Sequence, residues 1–159
     1  MIYITTGTYH LGFDRLIKSL DNNKNIKNFK LLAQIGGGNY KPKNFKYFDY
    51  CKPADHIKNI KKSNLIITHG GIGSIMYLIN LNKKFLVIPK NIDEHPNDQI
   101  SAMKSFKKIY NINVLYDLKN ADVHIKKMLK VKKKIRVKFQ KSNIPSLIKK
   151  YIQKIEINE

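Results

Sequence analysis

Cysteine is almost absent from the sequence, which limits both the chemistry and the setting of the protein. A single residue, Cys51, occurs among 159 residues, so neither an internal disulfide nor a metal cluster built on cysteines can form. Free thiols are typical of the cytoplasm, and we expect that location. The sequence also has no run of roughly 20 apolar residues that would span a bilayer. Its first residues have no basic segment followed by a long apolar one, so they predict a strand and not a signal peptide.

Acidic residues are scarce, because 11 of them stand against 31 basic residues and the formal net charge is +20. Arginine is scarce as well, since the basic residues are lysines apart from Arg15 and Arg136. Solvated lysine-rich faces explain this composition most simply, and attraction to an acidic membrane surface is the second interpretation. Specific nucleic-acid binding is disfavoured, since the sequence has no zinc-finger spacing, no RNA-recognition aromatic motif and no arginine-rich segment.

Short apolar runs alternate with amphipathic stretches along most of the chain. The apolar runs predict strands at residues 2–5, 31–35, 45–49, 65–68, 85–88 and 113–115. Apolar residues at helical spacing predict helices at residues 13–20, 55–62, 73–80 and 97–110. Strands that alternate with helices form mostly parallel sheets with helices on both faces. We therefore predict an α/β, Rossmann-like fold in which the loops that follow the strands share one rim of the sheet.

The C-terminal part of the sequence has a different pattern, and we predict two units, residues 1–125 and residues 126–159. The first is the α/β domain. The second begins with a basic segment, residues 126–141, that holds eight lysines and Arg136. Beyond it, with Pro145 near the helix start, apolar residues recur at helical spacing: Ile144, Leu147, Ile148, Tyr151, Ile152 and Ile155. This amphipathic helix either packs on its own domain or docks on a partner or a membrane surface.

The strongest functional signal is a glycine loop, His69-Gly70-Gly71-Ile72-Gly73-Ser74, which follows the fourth predicted strand and opens a helix. Glycines permit positive φ angles and a close approach of the backbone to a ligand. The N–H groups of a helix N-terminus bind anions, and the Ser74 hydroxyl adds a donor. The spacing is neither that of a Walker loop nor that of the dinucleotide fingerprint. We predict a diphosphate cradle, and the alternative is a tight turn without a ligand. His69 either donates to an anionic oxygen or is a buried, hydrogen-bonded histidine.

A second polar cluster, Asp93 to Gln99, follows the fifth predicted strand. Carboxylates and amides suit the recognition of sugar hydroxyls, and the candidates are Glu94, Asn97, Asp98 and Gln99. Helix capping by Asn97 or Asp98 is the alternative for one or two of them, because acidic residues stabilise a helix N-terminus. A metal site that includes His95 is disfavoured, since the spacing matches no established ligand pattern.

Two weaker signals follow the first and third predicted strands. The turn after the first strand offers Gly7 and Thr8 as ligand contacts, with His10 close behind. After the third strand, Tyr50 and Cys51 are placed to pack against a planar base, although core aromatic packing explains that segment equally well. Both segments are predicted on the same rim as the glycine loop.

Four segments, taken in order, resemble the C-terminal domain of MurG-type, family 28 glycosyltransferases. They are the first strand with its glycine turn, the helix that starts Phe-Asp-Arg-Leu-Ile at Phe13, the His-Gly-Gly-Ile-Gly-Ser loop and the Glu-His-Pro-Asn-Asp-Gln segment. The resemblance covers roughly residues 1–115. It is greatest for small stand-alone subunits, such as the PssE-like subunit of capsule and exopolysaccharide β-1,4-galactosyltransferases. The cytosolic subunit of the eukaryotic enzyme that adds the second N-acetylglucosamine to dolichol diphosphate is similar too.

The family resemblance implies one half of a GT-B enzyme, namely the half that holds a UDP-sugar donor. The residues that would contact the donor are Gly70, Gly71, Gly73 and Ser74 for the diphosphate, Tyr50 and Cys51 for uracil, and Glu94, Asn97, Asp98 and Gln99 for the sugar or ribose. Many family members carry a ribose-binding glutamate on the helix after the glycine loop. Met76 stands at the matching position here, so ribose recognition must come from elsewhere, with Glu94 as one candidate.

The resemblance also implies an inverting transfer that needs no essential metal or other cofactor, in which an acceptor hydroxyl displaces UDP. His10 is the candidate general base if that base belongs to this chain, and otherwise the base belongs to a partner. In the split enzymes a membrane-anchored subunit binds the acceptor, a lipid-diphosphate-linked saccharide, and recruits the donor subunit to the inner face of the membrane. The alternative is a non-catalytic enhancer of a separate transferase. A UDP-sugar epimerase is disfavoured, because it normally needs both halves in one chain.

Overall fold

The computed structural model describes residues 1–131, which form a five-stranded sheet with five α-helices. The strands are β1 (Ile2–Thr5), β2 (Leu31–Gln34), β3 (Lys46–Phe48), β4 (Leu65–Thr68) and β5 (Phe85–Val87). The helices are α1 (Asp14–Asn22), α2 (Pro53–Lys62), α3 (Ile72–Asn80), α4 (Gln99–Tyr110) and α5 (Ala121–Lys130). Short 3-10 helices lie at Lys24–Ile26, Ile92–Glu94 and Leu118–Asn120. The predicted C-terminal amphipathic helix lies outside the described residues.

The sheet is parallel throughout, with the strand order β3-β2-β1-β4-β5. The central strand β1 pairs with β2 on one side and with β4 on the other, so that Ile4 lies between Ala33 and Ile67. The chain first builds the sheet outward from β1 to β3 and then crosses back to add β4 and β5. The predicted α/β, Rossmann-like fold is confirmed. The gap between the β1 and β4 ends is the switch point at which sheets of this type bind ligands.

Two apolar clusters cover the two faces of the sheet, because alternate residues of a strand point to opposite sides. Ile2 and Ile4 face α1 and α5, and they pack in one cluster with the buried residues of those helices. Tyr3 and Ile66 face the other way and pack with residues of α2, α3 and α4. All four residues of β4 are buried, as a strand covered on both faces requires. Helices therefore lie on both faces, as the alternating pattern predicts.

Two elements differ from the sequence-based expectations. The predicted strand at 113–115 is reduced to a single bridge between Val114 and Val87. Helix α5 was not predicted, although its buried residues Ala121, Ile125 and Met128 recur at helical spacing. Lysines surround these three residues, and their charge made the segment resemble a solvated tether. Within residues 1–131, no helix has the length and apolar character needed to cross a membrane.

Candidate functional site

A cleft of about 310 Å³ opens at the switch point, at the carboxyl ends of the strands. Its walls come from four loops and strand ends: Thr5, Gly7, Thr8, Gln34, Tyr50, Cys51, Pro53, His56, His69 and Ser74. A second cleft of about 230 Å³ shares Thr5, His56 and Ser74 with the first, so the two are continuous. It adds Gly73 and Tyr77 from α3. The volumes suit a small-molecule ligand of the size of a nucleotide.

The structure brings together part of the predicted site. Six predicted residues line the first cleft, namely Gly7, Thr8, Tyr50, Cys51, His69 and Ser74, and Gly73 lines the second. The remaining predicted residues lie outside the lining sets of these clefts: His10, Gly70, Gly71, Glu94, Asn97, Asp98 and Gln99. Sequence reasoning missed Gln34, His56 and Tyr77 as cleft residues. Gln34 lies near the carboxyl end of a predicted strand, and the other two lie in the first two turns of predicted helices, so these positions were the available signal.

The N-terminus of α3 faces this site without a cap. Its N-cap, Gly71, has no side chain to accept a hydrogen bond, and its first turn holds no acidic residue. The other four α-helices in residues 1–131 each have an aspartate at this end: Asp14, Asp55, Asp98 and Asp122. The first N–H groups of a helix have no partner inside the helix, and the dipole makes that end positive. The α3 N-terminus is therefore left for an external anion.

Two glycines, Gly7 and Gly71, leave space for the His69 side chain. Gly7 has φ +82°, and a Cβ there would lie 2.7 Å from His69 Cε1. A Cβ at Gly71 would overlap His69 Nε2, so the imidazole occupies the space that both glycines leave. The glycines with positive φ in residues 1–131 are Gly7, Gly12 and Gly36, so the loop from Gly70 to Gly73 does not use the positive φ that glycine permits. Around Gly73, by contrast, no atom lies within 4 Å of the Cβ position.

His69 is neutral at physiological pH. Burial of the imidazole, with repulsion from Lys90 and His95, lowers its pKa to about 4, and the Thr5 backbone opposes this shift. Its Nδ1 atom is buried and has no hydrogen-bond partner within the described residues. A neutral imidazole in the cleft wall can donate one hydrogen bond to a ligand, but it brings no positive charge.

Gln99 holds the glycine loop to the segment after β5. Its Oε1 atom accepts hydrogen bonds from Gly70 N at 2.9 Å and from Lys90 N at 3.0 Å. The side chain is buried, and a Cβ at Gly70 would lie 2.9 Å from Gln99 Oε1. Gly70 is thus a glycine because Gln99 packs against it. The predicted contact between Gln99 and a sugar stays a prediction.

Glu94 is bound within the protein. Arg15 on α1 donates to both carboxylate oxygens, with Nε at 3.1 Å from Oε1 and Nη2 at 3.0 Å from Oε2. The Asn91 backbone N–H also donates to Oε2, at 2.8 Å, and Arg15 Nη2 donates to the Pro89 carbonyl oxygen at 2.9 Å. This arrangement fixes the 3-10 turn after β5 against α1. A contact between Glu94 and sugar or ribose also stays a prediction, and it would share a carboxylate that Arg15 already neutralises.

The other residues of the 93–99 segment are exposed or serve as caps. Asp98 is the N-cap of α4 and accepts a hydrogen bond from Ser101 N at 3.0 Å, which confirms the capping interpretation for this residue. Asn97 is exposed, and its backbone N–H donates to His95 Nδ1. His10 is exposed too and lies on Tyr9, with 4.4 Å between the ring centroids. Tyr9 in turn packs on His95, with 4.6 Å between the centroids.

Polar side chains fix the floor of the cleft. The Thr5 hydroxyl donates to Gln34 Oε1 at 2.7 Å, and Gln34 Nε2 donates to the Gly7 carbonyl oxygen at 3.0 Å. The Tyr3 hydroxyl bonds His56 Nδ1 at 2.9 Å, and burial lowers the pKa of His56. Burial also raises the pKa of the half-buried Cys51 thiol. The cleft wall therefore consists of neutral hydrogen-bonding groups.

The family resemblance matches Met76 to a ribose-binding glutamate, but in α3 it is Tyr77 that lies at the second cleft. Met76 packs into the apolar cluster under α2, α3 and α4. Tyr77 instead lines the second cleft, one helical turn beyond Ser74. The side chain that α3 presents at the second cleft is therefore a phenol and not a carboxylate. Among residues 1–131, no group of three or more histidine, cysteine, aspartate or glutamate side chains is placed to hold a metal ion.

The fold and the site define an α/β domain with an uncapped helix N-terminus at its switch point. The model of the glycosyltransferase family 28 C-terminal domain matches residues 1–155, and the chain belongs to this family. The crystal structure of the glycosyltransferase SnogD from Streptomyces nogalater is similar, with a TM-score of 0.49 and 15% sequence identity. The match covers 86% of this chain and 40% of the SnogD chain. A comparison with curated proteins finds no match.

Proposed function

We propose that this chain is the UDP-sugar-binding subunit of a two-component, inverting glycosyltransferase. Membership of family 28 supports a nucleotide-sugar-binding domain of a glycosyltransferase. The observation that carries the proposal is the uncapped N-terminus of α3, which meets the cleft at Gly73 and Ser74. A diphosphate is the part of the donor that such an N-terminus recognises.

The donor fits the clefts in one direction. The diphosphate lies over Gly73 and Ser74, and the uracil lies toward Tyr50 and Cys51 at the other end of the first cleft. The second cleft then receives the ribose, with the Tyr77 hydroxyl in the role that a glutamate has in many family members. The sugar points toward the 94–99 segment, which Gln99 ties to the glycine loop.

The reaction follows from this placement. An acceptor hydroxyl attacks the anomeric carbon, the bond to the diphosphate oxygen breaks, and UDP departs with that electron pair. The α3 N–H groups and helix dipole stabilise part of the charge that develops on the leaving diphosphate, and the proposal includes no essential metal. The hydroxyl proton passes to a general base. His10 is the candidate on this chain, although its exposed position on Tyr9 also suits a base supplied by the partner.

The partner that we propose is a membrane-anchored subunit that binds a lipid-diphosphate-linked saccharide in polysaccharide or capsule biosynthesis. The cleft walls come from one rim of one sheet, so the acceptor must approach from the solvent side. The alternative function is a non-catalytic enhancer that stabilises a separate transferase. The position of His10 outside the cleft lining favours that alternative. Turnover by the reconstituted pair that disappears when the cradle is blocked would exclude it.

A basic groove on the opposite side supports contact with an acidic membrane surface. Two clefts that share Lys127 and Val131 form this groove. Five lysines line it: Lys84, Lys107, Lys126, Lys127 and Lys130. The exposed Val123 lies in the same groove. Cations beside exposed apolar side chains suit the surface of an anionic bilayer. Replacing Lys127 by glutamate is expected to weaken sedimentation with vesicles that contain phosphatidylserine.

Nucleotide protection tests the donor site. UDP at about 100 times its Kd is expected to stabilise the protein by about 2.7 kcal/mol, measured as a thermal shift on the chain or its complex. The single cysteine offers a second readout, since UDP should slow alkylation of Cys51, which lines the cleft. Alkylation is best measured above neutral pH, because burial raises the pKa of this thiol. A complex whose unfolding and alkylation both ignore UDP would disprove the donor site.

A further inference from the structure

Lys90 is a buried cation without a counter-charge. Its side chain is fully buried, and within residues 1–131 its Nζ atom has neither a hydrogen-bond partner nor an ion pair. The faces of Tyr9 and Phe13 lie 5.9 and 5.6 Å from Nζ. The charge of Glu94 favours the ammonium, but Arg15 already binds that carboxylate. Burying an ammonium without a hydrogen bond or an ion pair is unfavourable, and within residues 1–131 the two aromatic faces and the Glu94 carboxylate offset this cost only in part.

The position of Lys90 connects it to the donor site. Its backbone N–H and that of Gly70 donate to the same atom, Gln99 Oε1. The ammonium is close enough to His69, in the cleft wall, to lower the pKa of that imidazole. Lys90 thus lies directly behind the loop that opens α3, on the side of the 94–99 segment.

Of the two aromatic rings beside this ammonium, Phe13 is buried and Tyr9 is the half-buried one that reaches the rim. Tyr9 belongs to the loop between β1 and α1, which is bounded by Gly7 and Gly12, both with positive φ. The Tyr9 ring is half-buried and packs on two residues of the rim, His10 and His95. Tyr9 is therefore the ring beside Lys90 that can change its side-chain rotamer without displacing a buried core residue.

We propose that Lys90 is a covered phosphate-binding residue, whose ammonium pairs with the donor diphosphate when Tyr9 swings aside. The inference rests on the proposed function, because it assigns one more contact to the same donor. The free protein keeps the ammonium buried and unpaired, and the bound diphosphate supplies the missing anion. Lys90 then adds a full positive charge to the neutral donors of the cradle.

The test compares Lys90→Met with Lys62→Met, which removes the same charge from the exposed end of α2. Without ligand, Lys90→Met is expected to be at least as stable as the wild type, because methionine fills the space without an unpaired charge. Its affinity for UDP and for inorganic pyrophosphate is expected to fall at least tenfold by titration calorimetry, while Lys62→Met binds as the wild type does. A Lys90→Met protein that is less stable than the wild type would show a structural role and overturn the inference.

The ligands separate the inference from the proposed function. If the wild type binds UDP and Lys90→Met binds it with the same affinity, the inference is overturned and the proposed donor site is retained. Failure of the wild-type complex to bind either UDP or pyrophosphate overturns both. A loss confined to UDP-glucuronate would move the ammonium's partner from the diphosphate to a sugar carboxylate, which also overturns the inference. Tyr9→Ala provides a second variant, in which acylation of Lys90 should accelerate and UDP should suppress it.

Discussion

Replacing Gly73 by alanine separates the stability of the fold from the binding of the donor. Gly73 lies in the first turn of α3, and no atom lies within 4 Å of the position that its Cβ would take. Alanine in a helix is favoured over glycine by roughly 0.5–1 kcal/mol. Without ligand, the variant should therefore unfold at the same temperature as the wild type or up to about 4 °C higher.

The same methyl group would occupy space that the proposed diphosphate needs. A phosphate held by the N–H groups of a helix N-terminus approaches the backbone closely, and the open space at Gly73 is where that approach is free. We expect at least a tenfold loss of UDP affinity, which is about 1.4 kcal/mol. At a fixed UDP concentration of about 100 times the wild-type Kd, the protection of about 2.7 kcal/mol should fall by about half.

Gly71→Ala is the matched control, because its methyl group meets the protein and not open space. The Cβ would overlap His69 Nε2, so the imidazole must move and the free protein should be destabilised. Thermal unfolding of both variants with and without UDP gives the four values needed. Gly73→Ala with full UDP protection would refute the assignment of the diphosphate to α3. Gly73→Ala with a clearly lower melting temperature in the absence of UDP would refute the description of an open space.

Three further predictions concern the supports of the site. Folding lowers the pKa of His69 from 6.5 to about 4, so the free energy of unfolding should decrease as the pH falls through that range. The expected decrease is about 2 kcal/mol between about pH 7 and pH 5. Urea unfolding should show this pH dependence, and His69→Asn should reduce it. Gln99→Leu leaves two buried N–H groups unpaired and should lower the unfolding free energy by about 2–6 kcal/mol. A variant as stable as the wild type would show that these two hydrogen bonds do not stabilise the loop. Arg15→Met and Glu94→Gln should each cost about 1–2 kcal/mol, because the pair is partly exposed, and a double-mutant cycle should show that the two losses are not additive. Selective loss of UDP-sugar over UDP in Glu94→Gln alone would instead support a sugar contact.

The fold was largely readable from the sequence because its signals are local. Each strand is a short apolar run, each of the first four helices has an apolar stripe, and glycines mark the turn after β4. The shared rim followed from the parallel topology. The site was less readable because its constraints join distant residues. Nothing in the sequence near Glu94 indicates Arg15, which precedes it by 79 positions, and nothing near Gly70 indicates Gln99. The sequence alone does not show that Gly70 packs against Gln99 and that Gly71 packs against His69, so it indicates only a ligand as the reason for these glycines.

The side chains around the proposed diphosphate site supply little positive charge. His69 is neutral, and Arg15 is bound to Glu94, so neither brings net positive charge to a diphosphate. The α3 N-terminus contributes roughly half an elementary charge, while a departing UDP carries at least two negative ones. In the proposed reaction, a full positive charge close to the phosphates would therefore stabilise the transition state further. Lys90 is held beside the glycine loop through Gln99 and has no counter-ion among residues 1–131. If a partner subunit brings a cation instead, the chain alone will bind UDP in the Lys90→Met form as tightly as in the wild type.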